Sequence, residues 1–216
     1  MHIPTIVRVL RKATVHFPRP LIDTLIQERG KDPYMILIAC LLSLRARDTT
    51  TIHVCRKLFA NVATPKELLQ IPLPQLERMI YETGFYHNKA RTLRYVSTML
   101  LKRYDGKVPQ NEEVLLSIKG IGLKTAHLVM GYAFGIPALC VDTHVHRISN
   151  RLGLVKTKTP EQTEAALQVV IPKRYWTIWN SLLVMWGQQI CLPRKPRCSQ
   201  CALFKWCARC GVTSWQ

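Results

Sequence analysis

Residues 116–147, which read LSIKGIGLKTAHLVMGYAFGIPALCVDTHVHR, contain the most informative pattern in the chain. Gly120-Ile121-Gly122 separates two segments with the apolar spacing of helices, Lys124 lies in the first turn of the second segment, and Asp142 begins the next one. Glycine has no side chain to block a phosphate, and the N–H groups at a helix start face an anion. The pattern predicts either a phosphate-binding helical hairpin with reactive groups beside it, or a plain connector with a surface lysine and an N-capping aspartate.

The charge of the chain is strongly basic. Its 216 residues include 31 Lys and Arg but only 13 Asp and Glu, which gives a net charge of +18. The basic residues are spread through helical segments, so they predict a folded cationic surface for an anionic partner, most often nucleic acid. The rest of the composition is that of a globular protein, and no apolar run reaches the roughly 18 residues of a membrane-spanning helix.

Local signals predict an all-α fold. Strand signals are scarce, whereas helix starts are well marked by N-cap residues followed by proline at 32–33, 64–65 and 159–160. The helix that follows Asp32 is apolar nearly all round, so we expect it in the centre of a helical core. In all, about ten or more helices joined by short loops are expected.

A second informative pattern is a C-x6-C-x2-C-x5-C spacing formed by Cys191, Cys198, Cys201 and Cys207. Four thiolates in a short loop-rich stretch can bind one tetrahedral zinc ion or one 4Fe–4S cluster, and the spacing by itself does not separate the two. A local cluster without a secretory signal favours a metal site over a disulfide framework. Cys210 is an alternative last ligand. The remaining thiols are predicted to be small core residues: Cys40, Cys55 and Cys140.

Together, the glycine turn, Lys124, Asp142 and the cysteine spacing resemble the endonuclease III family of base-excision DNA glycosylases over nearly the whole chain. Gly120–Ala126 resembles the helix–hairpin–helix of that family. Phe134–Pro137 and Val141–His144 follow it in the same order as in the family. The cysteine spacing resembles that of the family's 4Fe–4S loop.

The resemblance implies two helical domains with a DNA-binding cleft between them. Residues 24–134 would form a six-helix barrel with the helix–hairpin–helix, and residues 1–23 with 135–216 would form a second domain that holds a 4Fe–4S cluster. The implied partner is double-stranded DNA with damaged bases or abasic sites, bound by a monomer and not at a membrane. The implied location is the cytoplasm and nucleoid of a prokaryote, or the nucleus or mitochondrion of a eukaryote.

The resemblance also implies a bifunctional glycosylase and AP lyase for oxidised pyrimidines. Lys124 would attack C1′ of the damaged nucleotide, displace the base and form a Schiff base, after which β-elimination would cut the strand 3′ of the site. Because only a neutral amine attacks, we expect partial burial and the surplus of positive charge to favour the neutral form of Lys124. Asp142 would assist deprotonation and stabilise the developing oxocarbenium charge, and it can cap its helix at the same time.

Implied DNA contacts fall into two groups. The hairpin residues would bind a phosphate, with the help of a monovalent cation that this family can use there. These residues are Gly120, Ile121, Gly122 and Thr125. Because the target base must leave the stack, other residues fill the gap that it leaves. The matching positions are Arg45 and Phe85, where the family commonly has glutamine and an aliphatic residue. This departure leaves the opposite-base preference and the lesion range open, and a phosphate contact is the alternative for Arg45.

Two histidines follow Asp142. We group His144 with the DNA-binding residues, as a neighbour of Asp142, and a purely structural histidine is the alternative. His146 is expected at the surface.

Three other functions compete with this interpretation, one of which is a redox sensor that uses the cluster. A monofunctional mismatch glycosylase for adenine or thymine has the same fold, but its adenine-removing branch lacks a lysine at the position of Lys124. A non-enzymatic DNA-binding module with a structural zinc ion or iron–sulfur cluster would need neither Lys124 nor Asp142.

Overall fold

The computed structural model describes residues 2–216, and its regular structure is helical, with no strand among these residues. The α-helices are α1 Ile3–Ala13, α2 Leu21–Arg29, α3 Pro33–Ser43, α4 Asp48–Phe59, α5 Pro65–Gln70, α6 Leu73–Ile80, α7 Tyr86–Tyr104, α8 Glu112–Ser117, α9 Leu123–Leu128, α10 Thr143–Leu152, α11 Pro160–Val170 and α12 Trp176–Gln189. A π-helical turn, Val129–Ala133, continues α9, and there are short 3₁₀ turns at Tyr81–Thr83, Lys173–Tyr175, Cys198–Gln200 and Phe204–Trp206. The predicted all-α class is confirmed. In the described part of the chain, no helix has the length and apolar character that crossing a membrane requires.

The chain divides into two compact units. One unit is Leu21–Ile136, which we call the hairpin unit. The other consists of the N-terminal segment that ends at Pro20 together with Pro137–Gln216, and we call it the cysteine unit. The predicted boundaries fall at residues 24 and 134, whereas the observed ones fall at 21 and 136. The first boundary differs because α2 begins at Leu21 and buries this residue within the hairpin unit. The role assigned to each domain stays a prediction.

The hairpin unit is built around α3. Its first turn is fixed by Asp32, whose Oδ1 accepts the Met35 N–H at 2.6 Å, and by Pro33 at the first helical position. Every residue from Tyr34 to Leu42 is buried, which the apolar pattern around the helix predicts. Helices α2, α4, α7 and α9 pack against it, so α3 supports the helix that carries Lys124.

The cysteine unit has its own core, in which α12 packs against α1 and α10. Trp179 of α12 and Leu10 of α1 are fully buried there. This hydrophobic core extends to Leu203 in the loop of residues 191–207, which we call the cysteine loop. Cys191, Cys201 and Cys207 pack against the core. The loop therefore belongs to the core of this unit and is not an appendage.

Candidate active site and cysteine centre

The helical hairpin is closed by a short, well-anchored turn. Ile118 and Ile121 are buried, and the Ile121 N–H donates to the Ile118 carbonyl at 3.0 Å. Gly120 has φ +100°, and a Cβ at this position would lie only 2.6 Å from Cγ2 of Thr92 in α7. Both the backbone angle and the contact with α7 therefore require glycine at position 120.

Gly122 differs from Gly120 because the fold does not require it to be glycine. Its φ is −97°, which any residue adopts, and no heavy atom would lie within 4 Å of an added Cβ. It is exposed at the start of α9, where its carbonyl accepts the Ala126 N–H at 3.0 Å. The N–H groups of a first helical turn have no intrahelical acceptor, so they can bind an anion that approaches this open position.

Lys124 lies in the first turn of α9 and is exposed. The expected partial burial of this residue is therefore wrong for this structure. Burial raises the pKa of the Cys40 thiol in α3 to about 12, while the Lys124 charge acts on it in the opposite direction. Lys124 thus lies within electrostatic reach of a thiol that stays neutral at physiological pH.

Two other hairpin residues face inward. The side chains of Ile121 and Thr125 are buried, so only their backbone groups can reach a ligand. A further contact supports the hairpin from inside: buried His127 places Nε2 3.2 Å from Oε1 of Glu112, at the start of α8. The sequence shows these two residues fifteen positions apart, and nothing in the spacing indicates that they pair.

Asp142 is the N-cap of α10. Its Oδ1 accepts the N–H groups of His144 and Val145, both at 2.9 Å. The carboxylate is only partly buried, and both capping bonds use the same oxygen. The side chain is thus held in one orientation by the helix that it caps, which is compatible with either predicted role.

The two histidines of α10 lie inside the cysteine unit. His144 places Nδ1 3.2 Å from Nη2 of Arg147, and both side chains pack against Gly187 of α12, where an added Cβ would collide with them. These contacts favour the structural role of His144. The predicted surface position of His146 is wrong, because the residue is partly buried with Nδ1 2.6 Å from Oγ1 of Thr163.

Arg45 and Phe85, although forty residues apart, lie close together in the hairpin unit. The Arg45 guanidinium carbon is 5.7 Å from the centre of the Phe85 ring, a cation–π distance. Both residues have left-handed backbones, with φ of 55° and 51°. Such conformations cost about 1–3 kcal/mol in non-glycine residues and persist only where the surrounding structure imposes them. Phe85 is nevertheless 62% exposed, so the strained pair presents an aromatic and cationic surface.

The four predicted metal ligands line one cavity. Cys191, Cys198, Cys201 and Cys207 share it with Arg151 and Arg209. Cys210 is exposed and does not line it, which favours Cys207 as the last ligand. In the described residues, no three His, Cys, Asp or Glu side chains are grouped to hold a single metal ion.

Burial raises the pKa of the Cys198, Cys201 and Cys207 thiols, and that of Cys201 to about 11. Without a bound cation these thiols would therefore stay protonated at neutral pH. Arg151 places Nη1 3.4 Å from Sγ of Cys191. The donor set thus fits a group that binds thiolates and offsets their desolvation. Because the four thiols line a cavity without being grouped for a single ion, an iron–sulfur cluster fits them better than zinc does.

Two arginines connect α10 to the beginning of the cysteine loop. Arg147 donates to the Cys191 carbonyl at 2.8 Å and to the Gly187 carbonyl at 3.2 Å. Arg151 donates to the carbonyls of Leu192 and Pro193 at 2.7 and 2.8 Å. The helix capped by Asp142 is therefore also the helix that holds the loop.

Comparison with known proteins gives consistent results. Residues 38–173 match the family model of HhH-GPD superfamily base excision DNA repair proteins. The endonuclease III of Thermotoga maritima is 42% identical over 197 residues, which cover 91% of this chain and 89% of that protein.

Solved structures agree with this match. A non-covalent endonuclease III–DNA complex has a TM-score of 0.83 and 32% identity, covering 97% of each chain. A trapped endonuclease III–DNA covalent intermediate, described as an estranged-adenine complex, has a TM-score of 0.78 and 33% identity over 88% of this chain and 93% of that one. The chain therefore belongs to the endonuclease III family, within the HhH-GPD superfamily of base-excision DNA repair proteins.

Proposed function

We propose that this base-excision repair glycosylase/lyase removes oxidised pyrimidines from double-stranded DNA through a Schiff base on Lys124. Membership of the endonuclease III family supports the reaction class. The single observation that carries the choice of nucleophile is the exposed amine of Lys124 in the first turn of the helix that follows an exposed glycine turn.

The proposed reaction begins with displacement of the damaged base by Lys124. The neutral Lys124 amine attacks C1′ of the damaged nucleotide, the glycosidic bond breaks, and the base leaves with a proton. The C1′–O4′ bond then breaks, O4′ takes up a proton, and the Lys124 nitrogen forms an iminium with C1′ of the opened sugar. The iminium acidifies the sugar, C2′ loses a proton, and the C3′–O bond breaks by β-elimination with the 3′ phosphate as the leaving group. The Asp142 carboxylate would stabilise the positive charge that develops on the sugar and accept a proton. Its capping bonds fix the orientation of this carboxylate in advance.

We propose that the glycine turn binds a DNA phosphate. The open space at Gly122, the N–H groups of the first turn of α9 and the net charge of +18 support this role. The solved relatives in complex with DNA support double-stranded DNA as the partner, and we propose that one chain acts as a monomer.

Alanine is expected to have different effects at the two glycine positions of the turn. Gly120→Ala is expected to lower the free energy of unfolding by about 1–3 kcal/mol, because alanine is strained at a φ of +100° and collides with Thr92. Gly122→Ala is expected to fold as stably as the parent and to weaken binding of a duplex with an abasic-site analogue by about tenfold. Thermal unfolding and binding titrations measure the two effects. Equal DNA affinity of Gly122→Ala and the parent would contradict the phosphate role.

We propose that Arg45 and Phe85 fill the gap left by the flipped nucleotide. The exposed ring of Phe85 offers a face on which a base can stack. Arginine offers only donors, so Arg45 would pair best with a guanine-like edge of the opposite base. The cation–π contact supports their acting together.

We propose that Cys191, Cys198, Cys201 and Cys207 hold a 4Fe–4S cluster. Family membership, the shared cavity and the exclusion of Cys210 from it support this assignment. When bound, the cluster would supply a covalent tether that orders the basic loop around residues 191–207.

Paired serine substitutions test the ligand set. Cys207→Ser is expected to lose the visible absorbance of an iron–sulfur cluster and most of the iron, because one ligand is removed from the cavity. Cys210→Ser is expected to retain both, because the Cys210 side chain lies outside. Absorbance spectra and metal analysis of the purified variants measure this. Stoichiometric zinc in the parent instead of iron would contradict the cluster.

The proposed function is tested with duplexes that carry thymine glycol or an abasic site opposite each of the four bases. Borohydride should trap a covalent complex with the purified protein on both substrates, and trapping should weaken steeply with salt because phosphate contacts dominate binding. Base release without any trapped complex would instead indicate a monofunctional glycosylase.

A further inference from the structure

Lys89 is a buried lysine that the reaction above does not use. It lies in the first turn of α7 and is only 8% exposed, although lysine is seldom buried without partners. Its Nζ donates to the Leu42 carbonyl at 2.7 Å and to the Thr83 carbonyl at 2.8 Å. One side chain therefore joins two segments that are separated by forty residues.

Both acceptors lie at the end of a helix. Leu42 is in the last turn of α3, whose carbonyl groups have no intrahelical donors, and Thr83 ends the 3₁₀ turn Tyr81–Thr83. The chain leaves α3 toward Arg45, and it leaves the 3₁₀ turn toward Phe85. Lys89 thus anchors the backbone just before each of the two loops that carry Arg45 and Phe85.

The charge of Lys89 suits this position. Burial lowers the pKa of its ammonium to about 8, so the group remains largely protonated at neutral pH. A cation at the carbonyl end of a helix is stabilised by the helix dipole, as Lys89 is at the end of α3. The left-handed backbones at Arg45 and Phe85 need such a constraint to persist.

We propose that Lys89 is a positioning residue that holds Arg45 and Phe85 as one pre-ordered pair for insertion into DNA. This inference rests on the insertion role proposed for the pair. A pair ordered before binding loses less conformational entropy when it enters the duplex. Lys89 therefore acts on the step that extrudes a nucleotide from paired DNA, and not on the chemistry at the sugar.

The test compares Lys89→Met with the matched control Ser97→Ala. Methionine keeps the length and apolar stem of lysine but makes neither bond. Ser97 is also buried in α7, and its Oγ lies 2.7 Å from the Tyr34 hydroxyl in α3, so the control removes a hydrogen bond between the same two helices away from the loops. Each variant is assayed under single-turnover conditions for base release from a thymine glycol duplex and for cleavage of a single-stranded abasic oligonucleotide.

Lys89→Met is expected to slow base release from the duplex by about ten- to hundredfold, with cleavage of the single-stranded abasic site within about twofold of the parent. Ser97→Ala is expected to change the two rates by the same small factor. Equal losses of Lys89→Met on both substrates would show a structural role only and overturn the inference. If the unsubstituted protein neither releases the base nor cleaves the abasic strand, the proposed function itself is refuted. The two failures are therefore distinguishable.

A double-mutant cycle gives a second measurement. If Lys89 acts through Phe85, Lys89→Met should add almost nothing to the duplex defect of Phe85→Ala, whereas independent effects would multiply and contradict the inference. Should Lys89→Met fail to fold, Lys89→Gln enters the same cycle, because glutamine retains a donor but no charge.

Discussion

Replacing Lys124 by alanine is expected to abolish the covalent complex that borohydride traps between this protein and abasic DNA. Base release from a thymine glycol duplex should fall by about 10³-fold or more, because the variant has no amine to attack C1′. Lys124 is exposed and lies outside the core of the hairpin unit, so the free energy of unfolding should stay within about 0.5 kcal/mol of the parent. Trapping gels, single-turnover rates and thermal unfolding measure the three quantities.

Lys119→Ala is the matched control for this substitution. Lys119 is also exposed and lies on the other side of the same glycine turn, so its removal lowers the local charge equally. It should weaken DNA binding modestly and leave the trapped complex at saturating DNA unchanged. If Lys124→Ala still traps as well as the parent, another amine is the nucleophile. If both variants lose trapping equally, the loss reflects charge and not nucleophilicity.

Asp142→Asn is expected to slow base release by about 10²–10³-fold. Asparagine is as good an N-cap as aspartate, because its side-chain oxygen can accept the same N–H groups of His144 and Val145. The substitution therefore removes the negative charge while it keeps the capped helix. Melting temperature and affinity for an abasic-site analogue should remain close to those of the parent, and single-turnover base release measures the loss.

Asp32→Asn provides the corresponding control in the hairpin unit. Asp32 also caps a helix through Oδ1, in this case α3, and no catalytic role is proposed for it. Its substitution should leave base release unchanged. A large loss of DNA affinity or stability in Asp142→Asn, with little change in the rate at saturating DNA, would show that Asp142 is a cap and nothing more.

The sequence predicts best what depends on neighbouring residues. The start of α3 follows from Asp32 and Pro33, and its burial follows from an apolar pattern on all sides. The glycine turn is equally local, although the pattern treats Gly120 and Gly122 alike. Only the structure shows that the fold requires the first and leaves the second open.

Contacts between distant residues are what the sequence does not reveal. Lys89 reads as one of many basic residues on a helix, and its burial depends on carbonyl groups forty-seven and six residues away. His146 looks like a surface residue until α11 places Thr163 beside it. Conversely, the expected burial of Lys124 assumes a neighbouring surface that covers the amine, and a position in the first turn of α9 leaves it exposed. Hydrophobic periodicity contains no information on such pairings.

The contacts of Arg147 and Arg151 join the cysteine loop to the middle and the last turn of α10. Arg147 and Arg151 donate to four backbone carbonyls of α12 and the loop, so local unfolding of the loop would leave two guanidinium groups without acceptors. The cysteine loop and α10 should therefore open together in one local unfolding event, with a single free energy of opening. The proposed cluster, whose ligands are remote in sequence from Asp142, would then stabilise α10, the helix that Asp142 caps.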